Sequence, residues 1–214
     1  MSDLDLLEHQ LRPAAAEPEG ALVLMHGRGA DEFDLLPLFD ALDPGRRLVG
    51  VAPRAPLALP PGGFHWYVSR RVGYPDRETF LATYAKLQRF TASLSSALGV
   101  PWSRTVIGGF SMGAVMSYAL VLGSGRPVPA GVLAFSGFIP TVEGFELEWS
   151  NLRGMPVAVG HGTQDLVIPV EFGRAAHQAL EQAGARVVYR ESPMVHAIDP
   201  LFVRALQGWL SKVV

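Results

Sequence analysis

The chain contains no cysteine. That absence excludes disulfides, thiolate metal sites, a cysteine nucleophile and S-palmitoylation, so covalent catalysis would have to use another side chain. Charge is scarce as well: 18% of the residues are charged, and 18 basic against 20 acidic residues leave a net charge of −2 with no run of either sign. A nucleic-acid surface needs a basic stripe that is missing here, and an apolar content of 49% does not suit a disordered polypeptide. A secretory signal is also missing, because Asp3, Asp5 and Glu8 stand where a basic start and an apolar run belong. A cytoplasmic protein is expected. The stretch from Thr105 to Gly125 carries no charge and is long enough to span a bilayer, but glycines and serines interrupt it and it begins with the β-branched TVI. It is therefore expected to be a buried strand and a buried helix, with no integral membrane segment.

What is present is regular. Short apolar runs at 21–27, 47–53, 104–110, 130–136, 155–162 and 185–192 alternate with amphipathic stretches. That is the pattern of a mostly parallel sheet covered by helices on both faces, and 214 residues suit one such α/β domain over 1–214. A less regular strand is expected near 5–11. Phe80, Tyr84, Leu87, Thr91, Leu94 and Leu98 recur at spacings of three and four behind Asp76, which predicts an N-capped helix of about six turns. Shorter helices are expected near 32–42, 112–122, 170–183 and 199–212, the fourth ending at Gly184 and the last capped by Asp199 ahead of Pro200. No internal repeat or low-complexity tract is present, and no apolar stripe requires a homodimer, although isologous pairs are common.

Residues 53–75 break the regularity, with five prolines, three glycines and no period. A segment of this length is either a surface loop with its aromatics tucked down or a wall facing a substrate, built from Phe64, Trp66, Tyr67 and Tyr74.

Chemistry concentrates at Gly109-Phe110-Ser111-Met112-Gly113, a G-x-S-x-G between a predicted strand and a predicted helix. A strand that turns sharply into a helix can hold a serine hydroxyl proud of the sheet only where the flanking residues lack side chains. The same turn sets Ser111 at a helix N-terminus, which favours developing negative charge. A serine of ordinary pKa needs a base held by an acid. With the chain order Ser, acid, His, Asp165 in the loop after 155–162 is the expected acid and His196 in PMVHAIDP the expected base. Glu143, Glu146, Glu148, Glu171 and Glu181 are alternative acids, the first three clustered in an excursion and the last two on a helix; His177, mid-helix, reads as a surface histidine. An oxyanion needs two donors. The N–H of Met112 is one, and the glycine-rich turn His26-Gly27-Arg28-Gly29-Ala30-Asp31 offers the main chain of Arg28 as the other. The Arg28 side chain is solvated at the rim or paired with Asp31 or Asp34, and His26 orients the loop. The turn is no phosphate loop, since neither GxxxxGK[ST] nor GxGxxG occurs there.

Taken together, LMHGRGAD, GFSMGA, LAFSGFIP, HGTQDLVIP and the segment around His196 resemble, in order, five motifs of the phospholipase/carboxylesterase group of α/β hydrolases. The resemblance implies the α/β-hydrolase fold, a Ser111, Asp165 and His196 triad, Arg28 and Met112 main-chain donors, and neither metal nor organic cofactor. It also implies that Trp66 lies in the substrate-side loop and that Ile139 and Val167 stand near the acyl pocket. Two departures matter. Val195 replaces the glycine the family usually has before its histidine, so that loop cannot use a positive φ there without strain. The length also leaves no room for a cap domain, which implies a cleft roofed at most by 53–75 and suited to small or medium acyl groups. The expected activity is hydrolysis of a small-molecule carboxylic ester, with lysophospholipase or acyl-protein thioesterase as the near alternative and a non-catalytic ligand-binding protein as the reading from another class. A dienelactone hydrolase would carry a cysteine nucleophile, while peptidase or perhydrolase activity is compatible with the same residues. Arg70 and Arg71 read as a solvated pair in preference to a site for an anionic head group.

Overall fold

A strand that is apolar in both side-chain phases has to be covered on both faces, and the element order follows from that requirement. The structure, a computed structural model, describes residues 3–125 and 127–214. In chain order the elements are β1 (His9–Arg12), β2 (Gly20–Met25), α1 (Leu36–Leu42), β3 (Leu48–Pro53), β4 (Leu57–Ala58), β5 (Phe64–His65), β6 (Ser69–Arg71), β7 (Tyr74–Pro75), α2 (Arg77–Leu98), β8 (Thr105–Phe110), α3 (Met112–Leu122), β9 (Gly131–Phe135), β10 (Pro156–Gly162), α4 (Val170–Gln182), β11 (Arg186–Ser192) and α5 (Pro200–Val213). Seven strands form one sheet in the order β1-β3-β2-β8-β9-β10-β11, parallel throughout except for β1, which lies antiparallel on β3. Alternate residues feed two cores. In β2, Leu22 and Leu24 join Phe39, Leu42, Phe202, Leu206 and Leu210 from α1 and α5, whereas Val23 and Met25 join residues of α2, α3 and α4.

The six parallel strands lie within one or two residues of their apolar runs, and the less regular N-terminal strand is β1 at the sheet edge. Its Arg12 is buried, with the guanidinium donating to the carbonyls of Leu48 and Phe39 and to Asp43. The uncharged stretch divides into β8 and α3, and every residue of α3 is buried. Among the described residues no helix is long and apolar enough to cross a membrane. Asp76 caps α2 by accepting from the Thr79 N–H at 3.0 Å, and Asp199 caps α5 through the Leu201 N–H at 2.8 Å. The first helix is shorter than expected: residues 32–35 form turns, with Asp31 accepting from the Phe33 N–H, and helix begins only at Leu36. Within 53–75 the chain forms two short hairpins, β4–β5 and β6–β7, rather than an unstructured cover.

Candidate active site

The carboxyl ends of β2, β8, β10 and β11 converge on one side of the sheet, where open parallel sheets carry their chemistry. At the end of β8 the chain turns into α3 through Ser111, whose φ of +57° and ψ of −119° are forced on a residue with a Cβ. Such a conformation costs roughly 1–3 kcal/mol and persists only where its surroundings over-determine it. Here the Ser111 N–H donates to the Phe135 carbonyl at 2.9 Å, and the Ser111 carbonyl accepts from Val115 at 3.2 Å. Gly109 and Gly113 are required by space: a Cβ on Gly109 would strike the Gly113 carbonyl, and one on Gly113 the carbonyl of Met25. A serine at this position ordinarily uses its side-chain oxygen to accept from a backbone N–H of the first helical turn. Ser111 makes no cap bond, and its hydroxyl lies 2.9 Å from Nε2 of His196.

His196 is joined in turn to Asp165, with 2.6 Å between Nδ1 and Oδ2. The Asp165 side chain is fully buried, and its other oxygen accepts from the N–H groups of Val167 and Ile168 at 2.9 and 2.8 Å. An aspartate so held is an acceptor only, so Nδ1 carries the proton and Nε2 is left to accept from Ser111. The Val195 substitution does not prevent this approach, because Val195 is not among the residues of positive φ and the loop reaches Ser111 from negative φ. Two neighbours of the triad went unrecognised in the sequence. Phe110 lies against the His196 ring with centroids 4.7 Å apart, and His161 donates to the Ile168 carbonyl from a position 3.5 Å from Asp165. Asp199, expected only as a cap, also accepts from Ser192 and pairs with Arg190, anchoring the loop that carries His196. The alternative base, His177, stacks on Tyr189 with Glu181 at 3.1 Å, away from this cluster.

The loop after β2 supplies the candidate oxyanion donors together with α3. Met112 opens α3, so its N–H has no intrahelical acceptor. In the β2 loop the N–H groups of Gly29 and Ala30 are taken by the carbonyls of Phe64 and Gly27, whereas that of Arg28 has no acceptor among the described residues. The loop is clamped by the segment expected to face substrate. Trp66 is fully buried and donates from Nε1 to the His26 carbonyl at 2.8 Å; the N–H of Ala55 donates to Nε2 of His26 at 3.0 Å; and Arg54 forms a bidentate pair with buried Glu32. His26 also donates from Nδ1 to the Gly27 carbonyl, and burial pushes its pKa down, which keeps it the neutral, doubly bonded ring this clamp needs.

These contacts correct three expectations. Trp66 does not face the cleft but braces the loop after β2, because its indole is the donor that satisfies a buried carbonyl. Phe64 likewise holds the loop, through its main-chain bonds to Gly29 and Ala30, while its ring lies beneath the guanidinium of Arg54. Ile139 packs against the core and is not among the described residues lining the cleft. The cleft beside Ser111 has a volume of about 240 Å³, with Tyr67, Val72, Met112, Phe138, Val167 and Ile168 as its apolar wall. Arg28, Ser69, Arg70 and Arg71 complete it; Arg70 and Arg71 are exposed, as a solvated pair would be, and stand at the rim of the cleft that holds Ser111. Tyr74 stands outside, exposed, with the Arg71 guanidinium 3.5 Å from its ring centre. A larger groove of about 500 Å³ runs between α1 and α5 past Asp34, Leu38, Ile198, Val203 and Arg204, and it contains no nucleophile.

The fold and this cluster define a serine hydrolase of the α/β-hydrolase class. Residues 9–214 match the model of the phospholipase/carboxylesterase family, and the chain belongs to that family. It is 27% identical to acyl-protein thioesterase 1 of Candida albicans over 78% of this chain and 79% of that one. A carboxylesterase of Bacillus cereus superposes with a TM-score of 0.85 at 22% identity over the whole of both chains. A carboxylesterase of Mesorhizobium loti does so with a TM-score of 0.84 at 24% identity, covering 96% of this chain and 95% of that one.

Proposed function

We propose that the protein hydrolyses short- to medium-chain carboxylic esters through an acyl-serine intermediate. The observation that carries this reading is the continuous chain from Ser111 Oγ through His196 to Asp165, at 2.9 and 2.6 Å, opening on a 240 Å³ cleft. In the proposed cycle, Nε2 of His196 accepts the Ser111 proton as Oγ attacks the ester carbonyl, and Asp165 stays ionised to stabilise the imidazolium. The oxyanion sits on the N–H groups of Arg28 and Met112. His196 then protonates the departing alcohol, and water attacks the acyl-serine by the same route in reverse, releasing the acid. The cleft lies below the roughly 300–1,000 Å³ of pockets that enclose drug-sized ligands, which supports the smaller acyl groups. Tyr67 and Val167 are the wall residues assigned to the acyl chain, and the reaction is assigned to the cytoplasm.

A second reading, acyl-protein thioesterase, is favoured by the Candida albicans relative of that name and would use the same residues. Hydrolysis of p-nitrophenyl esters from acetate to palmitate, compared with Ser111→Ala, separates the two. A short-chain optimum abolished by the substitution supports the ester reading, and a long-chain optimum moves it to the thioesterase. Inactivity on every ester, or full activity in the variant, would overturn the triad assignment.

A further inference from the structure

Arg28, Arg70 and Arg71 all line the cleft beside Ser111, and among the described residues no Asp or Glu does. Outside the cleft, Arg12, Arg46, Arg47, Arg54, Arg174 and Arg190 each have a carboxylate within 4.0 Å, while among the described residues Arg77, Arg104, Arg153, Arg186 and Arg204 have none, so it is the clustering at one cleft that sets the three apart. Among the described residues the three cleft arginines have no salt bridge and donate no hydrogen bond. The acid nearest in effect is Asp76, which feels Arg70 but is bonded to both the N–H and the hydroxyl of Thr79 at the start of α2. Arg71 is partly oriented, since its guanidinium rests on the Tyr74 ring. In a chain of net charge −2, this gathering of unneutralised guanidinia at one cleft is not a property of overall composition. Clefts lined by one sign of charge concentrate ligands of the other sign, and a guanidinium pairs bidentately with carboxylate or phosphate oxygens.

We infer that the natural substrate is an anionic ester, carrying a carboxylate or phosphate that the Arg70–Arg71 corner receives while its carbonyl lies at Ser111. This rests on the ester hydrolysis proposed above. Two exposed guanidinium contacts correspond to a roughly tenfold gain in kcat/KM, carried mainly by KM because the anion is held in ground and transition states alike. The arginines are positioned by the β6–β7 hairpin, so the charged end and the reacting end of the substrate are held by different elements.

The test pairs substrates of matched length. Ethyl hexanoate against monoethyl adipate, read by ethanol release, places a carboxylate at the acyl end. Butanoylglycerol against butanoylglycerol 3-phosphate, read by butanoate release, places a phosphate on the alcohol side. The natural chain is expected to favour the charged member of at least one pair about tenfold, and which pair responds identifies the source of the anion. That preference should shrink as ionic strength rises from about 0.01 M to about 0.5 M. It should fall to about one in the Arg70→Ala/Arg71→Ala double variant, survive in Arg70→Lys/Arg71→Lys, and invert in Arg70→Glu/Arg71→Glu. Equal rates on both members of both pairs, or a preference that persists in the alanine variant, overturns the inference. Loss of Ser111-dependent hydrolysis on the neutral esters would instead strike the ester reading itself, so the two failures are distinguishable.

Discussion

Trp66→Phe separates a tryptophan that touches substrate from one that braces the candidate oxyanion loop. The indole is wholly inaccessible, and its N–H satisfies the His26 carbonyl at 2.8 Å, two residues before Arg28. Phenylalanine keeps most of the ring but removes the donor, which leaves that carbonyl unpaired in the interior. A buried polar group so orphaned costs about 1–3 kcal/mol. For a chain of this size each kcal/mol lowers the melting temperature by about 2–4 °C, so a fall of roughly 2–12 °C is expected by thermal unfolding. The loosened loop should also aim its N–H less well. Removing an oxyanion donor outright costs about 10²–10³ in kcat, and a donor that is only misdirected should cost roughly tenfold. Because the ring never meets the acyl chain, the rank order of p-nitrophenyl esters from acetate to palmitate should not change. A variant that melts normally but shifts its chain-length optimum would refute this account and return Trp66 to the cleft wall.

Three further outcomes follow from other contacts. In Asp165→Asn the amide can donate to Nδ1, which moves the imidazole proton to Nε2 and leaves nothing to accept from Ser111; kcat should fall about 10³- to 10⁴-fold with the fold retained. Steady-state kinetics showing more than a tenth of the natural kcat would exclude that role. Burial lowers the pKa of His26 below its ordinary value of 6.5, so as pH falls below 6.5 the unfolded chain takes up a proton that the folded one refuses. Stability should therefore decline from pH 7.5 to 5.5, and the decline in urea midpoint should be smaller in His26→Gln; equal declines would remove His26 from the explanation. Asp76→Ala should cost about 1 kcal/mol through loss of the α2 cap, read as a lower melting temperature, and an unchanged melt would mean that the Thr79 bonds add nothing.

The candidate triad was legible for local reasons. Ser111 is announced by glycines whose absence of a Cβ is required by the packing of the elbow, and Asp165 and His196 were reached by chain order and by the ends of apolar runs. The N-caps Asp76 and Asp199 were legible because a cap acts over three residues. What was misread depended on contacts distant in sequence. Trp66 bonds to a residue 40 positions away, and the direction of a side chain in an irregular segment leaves no period to read. Arg70 and Arg71 are exposed as a solvated pair would be, but nothing in RR states which way a hairpin folds, so their place at the cleft rim was not legible. The doubt raised by Val195 proved unnecessary for the same reason, since the loop's path is set by the anchoring of Asp199 to Ser192 and Arg190.

The amino-acid sequence by itself determined the alternation of buried strands and amphipathic helices, the elbow around Ser111 and the exclusion of thiol chemistry, because periodicity, glycine placement and composition are local properties. Only the tertiary structure decided that residues 53–75 clamp the loop after β2 with Trp66 and Phe64 and gather at the cleft three arginines without an ion pair among the described residues. Those arrangements arise where the ends of parallel strands and the hairpins beyond them meet, and that meeting is a consequence of how two cores are packed across one sheet.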